Sequence, residues 1–421
     1  MIGISEILQN IIYFISLYYL VLWILVFLEK EAPKEHKLVS YPNVTIVIPA
    51  YNEEDNIVET MKSAIALDYP KNKLKIIVID DGSTDRTNER AKGCIAWARK
   101  NIASLEIVLL MQKNFGKFAA LNNALKHVNS EFFATLDADS SPNEDALKKL
   151  VNSFTDKRIA AVSPILKVYR PKNRIQLVQW FEYSVNHFYK SIISNVNAIH
   201  VTPGPLSVYR TVVVKEVGGF REAHKTEDME IAMRIQKKQY KIVQCNDAFV
   251  YTKAPYTIKE LYKQRLRWNY GTFRNLIDYR KMMFDRKYGD FGMFQLPIIL
   301  ISGIMGITIL GLITFNAYKS IKPTFKLLSM YNYNLYDYLR YTQFNMIWLD
   351  LDARAIVTFL GFFLISMLVL WLSLRLYREK ISLRHMSSFF IYLFFYYLFL
   401  AIVWLGVLKD LILHRDRKWK T

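Results

Sequence analysis

Cysteine is nearly absent from this chain of 421 residues. Cys94 and Cys245 are too few and too poorly spaced for a disulfide framework or a thiolate metal site, and each reads as a small buried apolar residue. Acidic residues are scarce beside basic ones, 37 against 56, which leaves a net charge of +19. Internal repeats and low-complexity linkers are missing too, which argues against a repeat array. With 52% hydrophobic and 14% aromatic residues, the chain is neither disordered nor fibrous. The basic excess suits nucleic acid, an anionic membrane face or phosphorylated ligands. Lys and Arg gather around apolar stretches and within 259–286 rather than in one tail. That distribution favours a membrane surface and phosphates over nucleic acid.

What the chain has instead is long apolar runs. Ile11 to Phe27, Phe294 to Phe315, Ala355 to Leu374 and Phe389 to Leu408 each approach the roughly 20 residues that cross a ~30 Å hydrocarbon core. The first has no basic residue before it and no small-residue cleavage site after it, which favours an anchor over a cleaved signal. Tyr18, Tyr19, Trp371 and Tyr377 at span edges suit interfacial anchoring. One amino-terminal span places the region from Glu29 to about Gly292 in the cytoplasm. Three later spans then put the basic tail His414 to Lys420 outside, against the positive-inside expectation. Either a re-entrant or interfacial segment between Asn316 and Asp352 changes the count, or the tail is an exception. Tyr331 to Tyr336 reads as an ordered loop in that region.

Between the spans, apolar β-branched runs alternate with helical patterns. Val44 to Ile48, Leu74 to Ile79, Glu106 to Leu110 and Phe132 to Leu136 read as buried parallel strands. Ile57, Val58, Met61, Ala64 and Ile65, then Ala91, Ile95, Ala96 and Ala98, then Ala119, Ala120, Leu121 and Leu125 recur at helical spacing. Such alternation predicts an α/β, Rossmann-like doubly wound sheet, with ligands at the carboxyl ends of its strands. Polar motifs follow all four runs: Pro49-Ala50-Tyr51-Asn52-Glu53, Asp80-Asp81-Gly82-Ser83, Asn114-Phe115-Gly116-Lys117 and Asp137-Ala138-Asp139. The expected organisation is a transmembrane helix over 1–30, an α/β domain over 40–255, interfacial helices over 256–290 and about three further spans over 291–421.

Asp137 and Asp139, one residue apart at a strand end, can both reach a hard cation such as Mg²⁺ or Mn²⁺. Taken bare, the pattern is far more often a turn or helix cap, so its weight comes from the strand before it and the partners around it, and Asp80-Asp81-Gly82-Ser83 suits a capped strand-to-helix turn. Thr226-Glu227-Asp228 also reads as an acidic helix start before Ile231, Ala232 and Ile235. Gln264, Arg267 and Trp268 stand at i, i+3 and i+4 and share a helix face. With Lys259, Lys263, Arg265, Leu261, Tyr262, Leu266 and Tyr270, they also compose an amphipathic helix for a membrane surface. His224 reads as a surface or structural histidine, and the aromatics of Ile175 to Asn197 as core.

Taken together, these motifs resemble the family 2 glycosyltransferases with the GT-A fold, and more narrowly the processive membrane synthases of hyaluronan, chitin, cellulose and poly-N-acetylglucosamine. The resemblance covers Tyr41 to Arg280. It implies that Pro49, Ala50, Tyr51, Glu53, Asp80 and Asp81 line the nucleotide pocket and that Lys117 meets the diphosphate. Asp137 and Asp139 hold the metal and uridine diphosphate, while Asp228 is the catalytic base with Glu227 beside it. Glu227 would raise the pKa of Asp228 and a helix start would lower it, so the sign stays open. Gln264, Arg267 and Trp268 would serve the donor. Gly204 and Pro205, in Val201 to Arg210, would serve the acceptor together with Trp268.

The reading that follows is an inverting, metal-dependent transferase in the plasma membrane, with its catalytic domain cytoplasmic. It would elongate a glycan from a uridine diphosphate sugar, with the lipid bilayer and the growing chain as partners, no nucleic acid, and accessory subunits left open. A single-addition glycolipid synthase and a non-catalytic nucleotide-sugar-binding scaffold are the alternatives.

Overall fold

A computed structural model of the chain describes residues 4–29, 40–341 and 353–413. The basic tail at 414–420, most of the expected boundary around 30–39, and positions 342–352 lie outside the described residues. Along the chain run α1 (Ile4–Leu28), β1 (Val44–Ala50), α2 (Ile57–Ile65), β2 (Leu74–Asp80), α3 (Thr87–Asn101), β3 (Glu106–Met111) and α4 (Lys117–Leu125). Then come β4 (Phe132–Thr135), β5 (Ser140–Pro142), α5 (Ala146–Asn152), β6 (Ile159–Val168), α6 (Arg174–Asn195), β7 (Ser207–Arg210), α7 (Thr211–Glu216), α8 (Glu227–Lys237) and β8 (Lys241–Thr252). After the sheet follow α9 (Ile258–Asp278), α10 (Leu296–Met330), α11 (Leu335–Tyr341), α12 (Ala353–Tyr377), α13 (Leu383–Ile391) and α14 (Tyr397–Ile412).

The described strands form one sheet in the order β3-β2-β1-β4-β7-β6-β8-β5. The first four pair in parallel, as their apolar runs predict, and β7 inserts antiparallel between β4 and β6. Alternation along a strand divides the core. Val44, Ile46 and Ile48 face α2, α3 and α5, whereas Val47, Ile77 and Ile79 face α4, α7 and α8. This is the GT-A type of Rossmann-like layered sheet.

Four helical segments among the described residues are long and apolar enough to cross a membrane: Ser5–Leu28, Phe291–Met330, Ile356–Tyr377 and Leu383–Ile412. Residues 316–330, considered as a re-entrant segment, simply continue α10, and Tyr331 to Asn334 turn the chain into α11. These segments pack on α6 and α9. Trp180, Phe181 and Tyr183 cluster with Leu370, Leu374, Phe389 and Tyr392, and Leu266 and Tyr270 pack with Val403 and Val407. α1 meets α6 through Trp23 on Tyr189 and Phe27 on Phe188, ring centroids 4.8 and 5.5 Å apart. Helix α9 opens with a capping box, Thr257 and Glu260 each satisfying the other's backbone N–H.

Candidate active site

The motifs converge where β1, β2 and β4 end. Asp81 accepts from the backbone N–H of Phe115 (3.1 Å) and Gly116 (2.9 Å) and from Gln112 Nε2 (2.7 Å). Its carboxylate therefore holds the 112–116 loop, so two motifs separate in sequence are one structure. Gly82 (φ +76) makes the approach possible, because a Cβ there would sit 2.8 Å from Asn114 N. Gly116 (φ +90) then turns the chain into α4, whose first residue is Lys117. Asp80 accepts from Ser83 N–H (3.0 Å) and Asn88 Nδ2 (2.9 Å). Both aspartates are buried and engaged in turn chemistry, and Pro49 and Ala50 are buried strand residues. Tyr51 is half-buried at the strand end.

Lys117 stands at the centre. Its Nζ lies 2.6 Å from Asp137 Oδ1 and 3.3 Å from Glu227 Oε1. Burial alone would lower its pKa, but Asp137 and Glu227 hold the ammonium charged well above the usual lysine range. The same cation, with Arg267 nearby, outweighs burial at Glu227 and lowers its pKa. Asp228 goes the other way: burial and the Glu227 charge raise it to about 6, against Lys117 and the Met229 N–H. Helix α8 starts at Glu227, two residues earlier than Met229, so both acids sit in its first turn. Desolvation and the neighbouring charge override the helix end, and the sign left open by the sequence is upward.

The glycine segment is bolted to this cluster. Thr202 donates from its backbone N–H (3.3 Å) and hydroxyl (2.9 Å) to the Asp228 carbonyl, and Thr135 Oγ1 donates to Gly204 O (2.9 Å). A Cβ on Gly204 would press on both Asp137 carboxylate oxygens and on Lys117 Nζ. Those are movable side-chain ends, so Gly204→Ala should fold with stability changed by less than ~1 kcal/mol. It should nevertheless displace the Lys117–Asp137 pair and lower donor turnover by about 10²-fold, the scale of an ångström-sized misplacement. Donor turnover together with thermal unfolding checks both halves. Pro205 is buried beside it.

Asp137 and Asp139 bear on the question of a cation. Burial and then Asp137 raise Asp139. Burial also raises Glu53, with both aspartates adding to it, although Asn56 Nδ2 donates to its carboxylate at 2.6 Å. Asp137 Oδ1 is buried and lacks a well-directed hydrogen bond, relying on the Lys117 charge. Among the described residues no cluster of three or more metal-ligating side chains occurs. Two carboxylates in excess of local positive charge fit a hard divalent ion completed by phosphate oxygens and water.

Helix α9 locks onto the acidic motif. Asn275 Nδ2 donates to Thr226 Oγ1 (2.9 Å), Gly271 packs against the Thr226 side chain, and Arg267 Nη1 donates to Lys225 O (3.3 Å). Gln264, Arg267 and Trp268 are half-buried on the helix. His224 pairs with Asp278 at 3.4 Å rather than with substrate-facing groups. Arg265 corrects the sequence reading. It is not a membrane-surface cation but 2% exposed, with Nε 3.0 Å from Glu182 Oε1 and 3.2 Å from Tyr396 Oη, and its guanidinium lies 4.3 Å from the Trp268 ring centroid. Glu182 and Lys190, both on α6, were missed. Lys190 lies close enough to Asp228 to feel its charge, though burial dominates and lowers its pKa to about 7. A glutamate among Trp180, Phe181 and Tyr183 was the available signal, since a charge on an apolar face needs a partner.

Residues 132–407 match the family described as glycosyl transferase family group 2, and residues 45–218 match glycosyl transferase family 2. The poly-beta-1,6-N-acetyl-D-glucosamine synthase of Staphylococcus epidermidis is 29% identical over 268 residues, 61% of this chain and 63% of that protein. That of Staphylococcus aureus (strain MSSA476) is 29% identical over 230 residues, 54% of each. The chain thus spans less than two thirds of the length of these curated relatives. The mannosyltransferase PcManGT from Pyrobaculum calidifontis, solved in complex with GDP-Man and Mn²⁺, aligns over 98% of this chain and 99% of its own with a TM-score of 0.64 at 18% identity, a likeness of fold. With the GT-A sheet, the strand-end motifs and a family match over more than half its length, the chain belongs to the family 2 glycosyltransferases.

Proposed function

We propose that this protein is an inverting, metal-assisted membrane glycosyltransferase that elongates an extracellular polysaccharide from a uridine diphosphate sugar. The observation that carries the reading is the convergence of a carboxylate with a raised pKa, Asp228, on Lys117, which bridges Asp137 and Glu227. In the proposed step an acceptor hydroxyl attacks the anomeric carbon and its proton passes to the Asp228 carboxylate. The bond to the diphosphate breaks on the opposite face, which inverts the centre. Positive charge must meet the leaving diphosphate, and Lys117 and Arg267 supply it. A divalent ion held by Asp137 and Asp139 would add further charge on the phosphate oxygens. Tyr51, Glu53, Asp80 and Asp81 shape the nucleotide end, directly or by holding the 112–116 loop. Gly204, Pro205 and Trp268 form the acceptor side. The names of the staphylococcal relatives support N-acetylglucosamine as the transferred sugar, and the four apolar segments support a multi-pass protein; its catalytic domain would face the cytoplasm, where nucleotide sugars are made.

The test is detergent-purified protein with Mg²⁺ or Mn²⁺ and single uridine diphosphate sugars, reading released uridine diphosphate and product size. A high-mass product from uridine diphosphate N-acetylglucosamine alone, abolished by a chelator and restored by added metal, is the expected outcome. A single small lipid-linked product would replace polymer synthesis by glycolipid synthesis. Turnover unaffected by the chelator would remove the metal from the reading.

A further inference from the structure

A cavity of about 530 Å³ opens between the connection from β6 to α6 and the start of α13, lined by Arg170, Pro171, Lys172, Leu177, Arg384 and His385. Three of these six carry permanent positive charge and none carries negative charge. Arg384 Nη2 donates to the carbonyls of Pro171 (2.8 Å) and Lys172 (3.4 Å), which ties α13 to the 170–172 turn and commits one of its three nitrogens. His385 Nδ1 accepts from the Ser382 backbone N–H (3.1 Å), which fastens the ring to the start of α13. The imidazole packs on Trp180 with ring centroids 4.9 Å apart.

The level of this cavity is set by the spans. Candidate span Ile356–Tyr377 ends and Leu383–Ile412 begins on either side of the short connection 378–382. That connection is fastened to the sheet, with Glu379 3.0 Å from Lys167 and Arg378 paired with Asp247. The cationic cavity therefore lies where two spans meet the catalytic domain. Beside it, Leu383 on α13 is 92% exposed, and Ile381 and Phe390 are about half exposed. At the ends of two spans, an anionic phospholipid suits this place, since its headgroup would meet the cations while its acyl chains run along the exposed side of α13.

We propose that this cavity binds the phosphate headgroup of an anionic phospholipid from the leaflet facing the catalytic domain. The site rests on the membrane reading above. Its wall continues into α6 through Leu177, so a bound headgroup would hold α6 against the bilayer at a fixed height.

The test uses the full chain and a double variant, Arg170→Ala/Lys172→Ala, two exposed side chains whose loss leaves the Arg384 hydrogen bonds in place. Protein is mixed with phosphatidylcholine vesicles with and without phosphatidylglycerol, floated, then extracted in detergent, and retained lipid is counted by native mass spectrometry. Wild type should retain phosphatidylglycerol over phosphatidylcholine, and the double variant should lose roughly tenfold or more of that retention. A Lys126→Ala/Lys157→Ala control, remote from the cavity, should not. Flotation of all three proteins with equal retention of both lipids would overturn the site while keeping the membrane reading. Failure of wild type to float would overturn both. Inorganic phosphate titrated in detergent separates the remaining source: binding lost in the double variant, without any lipid preference, would replace the phospholipid by a free phosphate.

Discussion

Asp228→Asn is expected to lower sugar transfer by about 10²–10⁴-fold, the usual share of a positioned general base, while leaving uridine diphosphate binding unchanged. The asparagine keeps size and can still present its carbonyl oxygen to the Met229 N–H, which Asp228 Oδ1 accepts at 2.8 Å. It cannot take up the acceptor proton. The parent should show its own signature in pH. Asp228 is raised to about 6, so the rate should rise with pH through that value and level off above it, and the rise should vanish in the variant. The stability effect runs the other way. A carboxyl raised in the folded state binds its proton more tightly there than in the unfolded chain, so it stabilises the fold at low pH and loses that contribution as pH climbs through about 6. At neutral pH the charged Asp228 is a strain on the fold, and Asp228→Asn should melt no lower than the parent. A variant that melts early, or loses nucleotide binding with turnover, would mean Asp228 is structural.

Arg265→Ala should be among the most destabilising single changes in the molecule, about 3–5 kcal/mol, because it leaves the Glu182 carboxylate buried without its cation. Glu182 is 7% exposed and Arg265 2%, and the guanidinium also contacts Tyr396 and the Trp268 ring. Pairing the changes separates stability from position. Replacing both partners by apolar residues of similar volume, Arg265→Met with Glu182→Leu, should recover most of the thermal stability. It should not recover transfer, since the cation that fixes the Trp268 indole is gone. Thermal unfolding and product length measured on the two single variants and the double decide it. Normal products from a stable double variant would show that the pair only supports the fold.

Much of the catalytic sheet was readable in advance. A parallel strand buried on both faces appears as an uninterrupted apolar run, which is why 44–48, 74–79 and 132–136 were legible; β3, expected to be buried as well, is the edge strand and buries only Ile107, yet keeps its apolar run. The later strands escaped notice. β6 contains Pro164 and β8 carries Gln244, Asn246 and Asp247, and their pairing shifts register twice, so neither shows a clean period. β5 is three residues long, too short for any pattern, and β7 follows closely on the Pro203-Gly204-Pro205 turn, which reads as a loop.

The same division runs through the site. Local order in the chain determined which residues lie near the strand ends, that Gln264, Arg267 and Trp268 share a helix face, and that four segments are apolar enough for a bilayer, because spacing and hydropathy are properties of neighbours. Only the tertiary structure decided that Asp81 spends its carboxylate on the 112–116 loop, that Lys117 joins Asp137 to Glu227, that Asp228 rather than Glu227 is raised, and that Arg265 is buried on Glu182. Each of these depends on desolvation and on a partner distant in sequence, 83 residues away for Arg265. Charge energies change several-fold with burial and distance, and the order of residues carries neither.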